Sequence, residues 1–521
     1  MKNKFIYTLI VVLFAVSCND SILDVPNEND YDGQSFFTSA TSYSEAANAM
    51  YTPLIYRGMY SRGYYFIFDL LGNDAEKNFP LQGGLLEFPL YTHTPNNGEL
   101  NDLWNDNYKM VFRTNFVLGL MENWEATEDA DIALKNRIIG EANFLKALAY
   151  FILVNCYGDI PLKVDIADHE NIESERTPAA DVWAAIESYL AIAANNLPVS
   201  YDNEADYGRV TKGAAVALLG KSYLYQKKYG AAATELMKLT QAPYSYDLAE
   251  SLDDMFIYDQ KTDETVFAVM HGEWQGWGVG NAYYMFGGQE TWGSKATHSG
   301  RAMEYGFNDW WNVLLSDALV NSFHYKDESG ADYVDPRAAL TFYGDGTFGG
   351  DTHFCDECEE GPIEYASLIK EGQISFRKYE HYEQKEKYNQ PESFINSQVI
   401  RFADVLLMAA EAYIEDNNTS SALPLINRVR ARSGAFEYST LGDQTNARMI
   451  LRHERQMELA GEQHRFYDLV RWGVLKETIN PEKQAAIGIS PVEDKHVLLP
   501  IPQIERDANP TLDAQVKNDW N

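Results

Sequence analysis

The sequence predicts a mainly α-helical protein in which paired helices carry long irregular loop insertions and only minor β structure. Three observations point there. Apolar residues recur at helical spacing through seven segments, two pairs of helical segments are joined by tight polar turns, and only two short runs read as strands.

In chain order, Thr41 to Met59, Asn101 to Trp124 and Asp131 to Tyr157 carry the helical period. Pro178 to Asn196, Thr211 to Lys228 and Tyr229 to Thr240 follow. The clearest is Ser397 to Tyr413, where Val399, Ala403, Leu406, Ala410 and Tyr413 fall at i, i+4, i+7, i+11 and i+14. Its other side holds Arg401, Asp404, Met408 and Glu411, a mainly charged stripe, so it reads as an amphipathic surface helix. Ala217 to Tyr225, followed by Lys228-Tyr229-Gly230-Ala231-Ala232, has the small/large alternation and Tyr-Gly turn of a tetratricopeptide unit. Ala409 to Tyr413, the polar turn Glu415 to Ser421, and Ala422 to Arg432 form a second such pair. No clean repeat period emerges, so the scaffold is one of degenerate tetratricopeptide-like helical pairs. Thr265 to Met270 and Val497 to Ile501 are the strand candidates.

Composition narrows the function. The 521 residues carry a formal charge of −35, which repels polyphosphate and anionic membrane surfaces and so argues against a nucleic-acid partner. With 45% hydrophobic and 23% charged residues the chain is globular. An aromatic content of 13% leans toward a protein that holds neutral polar ligands such as sugars.

The N-terminus reads as a secretory signal over residues 1–17: Lys2 and Lys4, then an apolar run from Phe5 to Val16 too short to span a bilayer. Ala15-Val16-Ser17-Cys18 resembles a bacterial lipoprotein cleavage box, with Cys18 as the lipidated residue. Residues 18–34 are polar and acidic, suited to a tether, and residues 35–521 read as one body with an insertion at about 271–395. Cys156 lies on an apolar helix face. Cys355 and Cys358 form a Cys-x-x-Cys with His353 just upstream; in an exported protein a local disulfide is the first reading, with a three-ligand metal site and a redox pair as the alternatives. Asp345 to Asp351 offers oxygen ligands for a structural calcium ion, although its spacing does not match an EF-hand loop. No other cofactor is expected.

Between the helical blocks, Gly272 to Trp311 breaks all periodicity. It holds half of the ten tryptophans, with nine glycines interleaved. Long loops of this kind are unusual unless they bind something, and sugar rings pack their C–H patches on aromatic faces. Platform candidates are Trp274, Trp277, Tyr283, Tyr284 and Trp292. The alternative is that these rings only seal the loop onto the body.

Four segments then resemble the SusD-like (SusD/RagB) family of outer-membrane glycan-binding lipoproteins. They are Ala149-Tyr150-Phe151-Ile152-Leu153-Val154-Asn155-Cys156-Tyr157-Gly158-Asp159-Ile160-Pro161-Leu162; Arg401 to Ala412; Glu454 to Leu459 with His464 to Gly473; and Leu499-Pro500-Ile501-Pro502-Gln503 with Asn509-Pro510. The resemblance implies four tetratricopeptide-like pairs, a variable glycan-binding face, and a partner in a SusC-like TonB-dependent transporter barrel, to which oligosaccharides are delivered at the outer membrane. It also implies a non-enzyme. The loop Tyr91 to Gly98 lies where such proteins often contribute ligand contacts, and it offers Tyr91, His93, Asn96 and Asn97. Asn73, Asp74 and Arg377 are further hydrogen-bonding candidates. Arg465, Asp468 and Arg471, at i, i+3 and i+6, read as an ion-pair network on one helix face.

Two other functions compete. A glycoside hydrolase needs two carboxylates at a suitable distance, and among 77 acidic residues pairs such as Asp253-Asp254 arise by chance. No Gly-x-Ser-x-Gly, His-Glu-x-x-His or phosphate loop is present. A tetratricopeptide scaffold that binds protein alone would leave the tryptophans contacting a partner and bind no soluble sugar.

Overall fold

The computed structural model describes residues 37–78, 81, 83–256, 262–271, 299, 301–307, 311–354, 361–365, 373–380, 395–480, 491–515 and 520. The chain divides into two compact units, residues 1–46 and 47–521, and α1 (Ala40–Ala49) begins in the first. The second unit is a row of helices: α2 (Gly63–Gly72), α3 (Gly98–Asn123), α4 (Asp129–Tyr157), α5 (Ala179–Asn196), α6 (Lys212–Tyr225), α7 (Tyr229–Lys238), α8 (Phe402–Glu415), α9 (Thr419–Arg432), α10 (Gln444–Glu458) and α11 (Arg465–Arg471). From α3 to α9 each helix packs on the next. That includes α7 on α8, although residues 239–401 lie between them. The paired-helix scaffold expected from the sequence is the fold.

Helix starts follow their caps. Asn97 accepts hydrogen bonds from the N–H groups of Glu99 and Leu100, Thr211 from Ala214, Asn418 from Ser421 and Asp443 from Asn446. Each satisfies an orphaned donor of a first turn, and Asn97 satisfies two. Gly158, at φ +71°, closes α4, which is apolar enough to cross a membrane but lies buried between α3 and α5. Cys156 is a free, buried thiol on that helix, as its apolar face predicts.

Gly58 marks a close approach. A Cβ there would sit 2.3 Å from the carbonyl carbon and oxygen of Asp102 on α3, and backbone cannot yield as a side chain can. Gly58→Ala is expected to destabilise by at least about 1–3 kcal/mol. Thermal unfolding checks this, and an unchanged midpoint would mean that the Thr52–Ile55 turn and its flank are not held against α3.

Four sequence expectations need correction. Ser397–Arg401 is a strand, paired antiparallel with Thr265–Val269, and the helix starts only at Phe402. The same helix is no surface helix: Asp404 and Glu411 are as buried as Leu406. Val497 to Ile501 is not a strand; Val497 ends a 3₁₀ turn, and Leu499 N–H donates to the Cys156 carbonyl at 2.6 Å. The first helix is also shorter than Thr41 to Met59. It stops at Ala49, and Pro53, which has no N–H to donate, sits in a 3₁₀ turn.

The buried charges pair. Glu458 receives Arg337 at 3.1 Å and Arg401 at 2.6 Å, with Arg432 also bound. Arg401 reaches Glu264 and Glu462, both at 2.7 Å. Asp468 lies between two guanidinium groups as the sequence suggests, but they belong to Arg455 and Arg471. Arg465 instead runs over Gly72, and its charge acts on Asp74.

Candidate functional site

Trp274, Trp277, Tyr283, Tyr284 and Trp292 lie outside the described residues, as do Cys18, Cys355 and Cys358. Both roots of the Trp-rich segment are described, and each is welded into the body. The outgoing root is the strand Thr265–Val269 with Met270 and His271. Buried His271 donates its N–H to Asn396 Oδ1 at 2.9 Å, and its Nε2 lies 3.1 Å from Ser397 Oγ.

The returning root is Ser299 with the short helix Arg301–Tyr305. The guanidinium of Arg301 donates to Asp69 at 3.0 Å and to the Gly461 carbonyl, and lies 3.8 Å from the Tyr379 ring centroid. Tyr305 donates its hydroxyl to the same Asp69 carboxylate at 3.0 Å, and Glu304 accepts from Arg62 at 2.6 Å. Burial pushes the carboxyls of Asp69 and Glu304 up, and Arg301 and Arg62 pull them back. Desolvated pairs of this kind add little net stability but penalise any other geometry. Fixed ends of this kind are what a rigid scaffold offers to a segment it carries.

The other candidates divide. Asn73 caps α2 in the left-handed conformation at φ +61°, and its carbonyl accepts from Ser316 Oγ. Asp74 accepts from Gly461 N–H at 3.3 Å, so Asp74 and Arg301 grip the same glycine. Asp74 is thus tied to the returning root through Gly461 and Asn73 to Ser316, and both are buried. Tyr91 donates to the Leu71 carbonyl, and His93 packs among Phe88, His496 and Trp520. Burial, with the neighbouring His496, lowers His93 to about 3, so its ring is neutral. Arg377 is buried against Asp253 and Asp351. Asn97 is buried as the cap of α3, and of the seven described candidates only Asn96 is exposed; the others are anchored in the fold. Short loops with turn residues looked like surface because hydrophilic spacing does not report what packs over them.

A raised carboxyl pKa would ordinarily suggest a general acid. Asp74 is pushed up to about 7, burial outweighing the pull of Arg465. It is 1% exposed, however, and lines neither of the two clefts beside the strand Thr265–Val269. The unfolded chain ionises this group near pH ~4, so its stabilising contribution is full below that value and is lost as pH rises through about 7. Asp74→Asn should therefore raise the thermal midpoint at pH 8, with a smaller gain at pH 5. No gain at pH 8 would mean an ionised Asp74 paired with Arg465.

Among the described residues no group of three His, Cys, Asp or Glu side chains converges to hold a metal ion. Asp345 accepts from Thr347 N–H in its own turn, and Asp351 lies 3.2 Å from Arg377. Sequence reasoning missed Arg62, Asp69, Arg301 and Glu304. Only their buried partners identify them, since Asp69 and Arg301 are 232 residues apart.

Residues 264–519 match the family model described as SusD family, and residues 23–224 match one described as starch-binding, associating with outer membrane. SusD-like protein P25 of Formosa agariphila is 26% identical, with 98% of each chain covered. The crystal structure of a SusD superfamily protein from Bacteroides vulgatus aligns at TM-score 0.74 and 24% identity, over 93% of this chain and 100% of that one. Surface glycan-binding protein A from Bacteroides uniformis aligns at TM-score 0.69 and 20% identity, over 93% and 100%. Both halves match models of one kind, and the helical row has the fold of these structures; the chain belongs to the SusD-like family.

Proposed function

We propose that the protein is a non-catalytic glycan receptor of the outer membrane, anchored through Cys18, that captures oligosaccharides and delivers them to a TonB-dependent transporter barrel. The observation that carries the binding reading is the Trp- and Gly-rich segment held at both ends by buried, hydrogen-bonded roots. Membership of a carbohydrate-binding family and the fold shared with a surface glycan-binding protein support it. Trp274, Trp277, Tyr283, Tyr284 and Trp292 serve as stacking faces, and Asn96, exposed in its own loop, is a candidate hydrogen-bonding group. Several rings acting together give micromolar to millimolar affinity, which suits capture followed by release.

The test is isothermal titration of protein lacking residues 1–18 against neutral and acidic oligosaccharides, each mixture then checked by chromatography for cleavage. Saturable heat with intact sugar, lost in Trp274→Ala or Trp277→Ala, is expected. Shortened sugar would establish a hydrolase, and silence across the panel would favour the protein-only scaffold.

A further inference from the structure

Where the α5–α6 connection meets the strand Thr265–Val269, a cleft of about 480 Å³ opens between Tyr201, Tyr207, Tyr244 and Tyr246. None of these tyrosines belongs to the Trp-rich segment. Its size falls within the ~300–1,000 Å³ of small-molecule sites. The walls are fixed. Tyr201 donates its hydroxyl to the Val210 carbonyl at 2.8 Å, and the Tyr246 hydroxyl lies 3.2 Å from Thr211 Oγ1. The rings of Tyr244 and Tyr246 are 16° from parallel with centroids 6.2 Å apart, and Tyr207 is 38% exposed.

Met270 forms the floor because Gly208 lets it in: a Cβ at Gly208, whose φ is +91°, would stand 2.5 Å from Met270 Cγ. A second cleft of about 310 Å³ adjoins across Tyr207, Gly208 and Met270, so the floor continues toward the outgoing root of the Trp-rich segment. Thr265 Oγ1, in the lining, is buried without a protein partner. Buried hydroxyls are nearly always satisfied, so this one calls for a hydroxyl or water brought from outside.

The charge of the lining decides the ligand's sign. Among the described residues the lining carries Asp202, Glu204, Asp206 and Asp263 and a single cation, Arg209, which is already held by Asp206 at 2.6 Å and Glu141 at 3.4 Å. Among the described lining residues no further cation is left to meet an acid group, whereas carboxylates and tyrosine faces suit hydroxyls and C–H patches.

We propose that this tyrosine-walled cleft is a second carbohydrate subsite, taking one or two neutral sugar units and rejecting uronate- or sulfate-bearing ones. It rests on the glycan-receptor reading and adds a place outside the Trp-rich segment. Protein lacking residues 1–18 and labelled with 3-fluorotyrosine would be titrated with maltotriose, laminaritriose, cellotriose, mannotriose, xylotriose and galactotriose, and with trigalacturonate as the anionic probe. Tyr207→Phe and Tyr244→Phe assign the fluorine resonances. For the neutral sugar that binds, both resonances are expected to shift, also in Trp274→Ala protein. Tyr207→Ala and Tyr244→Ala should each weaken calorimetric affinity about fivefold, with an unchanged thermal midpoint, and trigalacturonate should move nothing. Sugar binding with both tyrosine resonances unmoved, or an equal response to trigalacturonate, overturns the subsite and leaves the receptor standing. No response to any neutral sugar, by heat or by fluorine shift, removes the subsite, and silence from trigalacturonate as well removes the receptor reading with it.

Discussion

Glu458→Gln is expected to cost about 3–5 kcal/mol of folding stability at pH 7, because it leaves guanidinium groups buried and short of charge. Burial alone would raise this carboxyl, yet Arg432, Arg401 and Arg337 hold it well below the usual carboxylate range. A depressed folded pKa stabilises above the unfolded value, near ~4.3, and that stability is lost as pH falls. The gap between variant and parent should therefore be widest at neutral pH and shrink in acid. Urea unfolding at pH 7 and pH 4 measures it; a cost under about 1 kcal/mol at pH 7 would show that the network behaves like surface pairs. The exposed pair Lys326–Asp332 supplies the control, since removing it should leave the midpoint where it is.

Arg301→Met should be comparably damaging and, unlike the first variant, should reach the ligand. It strips the buried Asp69 carboxylate of its cation, at about 3–5 kcal/mol. It also releases the Gly461 carbonyl and the Tyr379 face, which hold the returning root of the Trp-rich segment. Without Arg301 the Asp69 carboxyl rises further, so the variant should be better folded at pH 5 than at pH 8, where burying the ionised form is most costly. On the proposed receptor reading, sugar affinity at a pH where the variant is folded should fall, because Arg301 anchors the returning root of the proposed binding segment. Asp69→Asn combined with Arg301→Met should recover much of the stability but not the affinity. Wild-type affinity in the single variant would mean that the root does not organise the binding segment.

The role of α8 shows where sequence reading reaches its limit. The spacing from Val399 to Tyr413 located a helix, but the strand Ser397–Arg401 shares its apolar residues, and a short run of Val and Ile fits both periods. Only the partner Thr265–Val269, more than a hundred residues away, settles the choice. The charged side of the same helix looked solvated because patterning within one helix reports polarity and says nothing of what covers it. Arg455 and Arg471 reach across to Asp404 and Glu411 from elements far along the chain and turn that stripe into core.

By itself, then, the sequence determined the order and approximate length of most helices, the strand Thr265–Val269, the burial of Cys156 and, through its motifs, the family. Those depend on interactions within a few residues, where periodicity, caps and turn chemistry act. Tertiary structure alone decided that Tyr91, His93, Asn73, Asp74 and Arg377 are anchored in the fold, that Arg455 and not Arg465 completes the Asp468 pair, and that four tyrosines from two loops wall one cleft. A charge or a ring acquires its role from the group that meets it, and here the meeting groups lie tens to hundreds of residues apart.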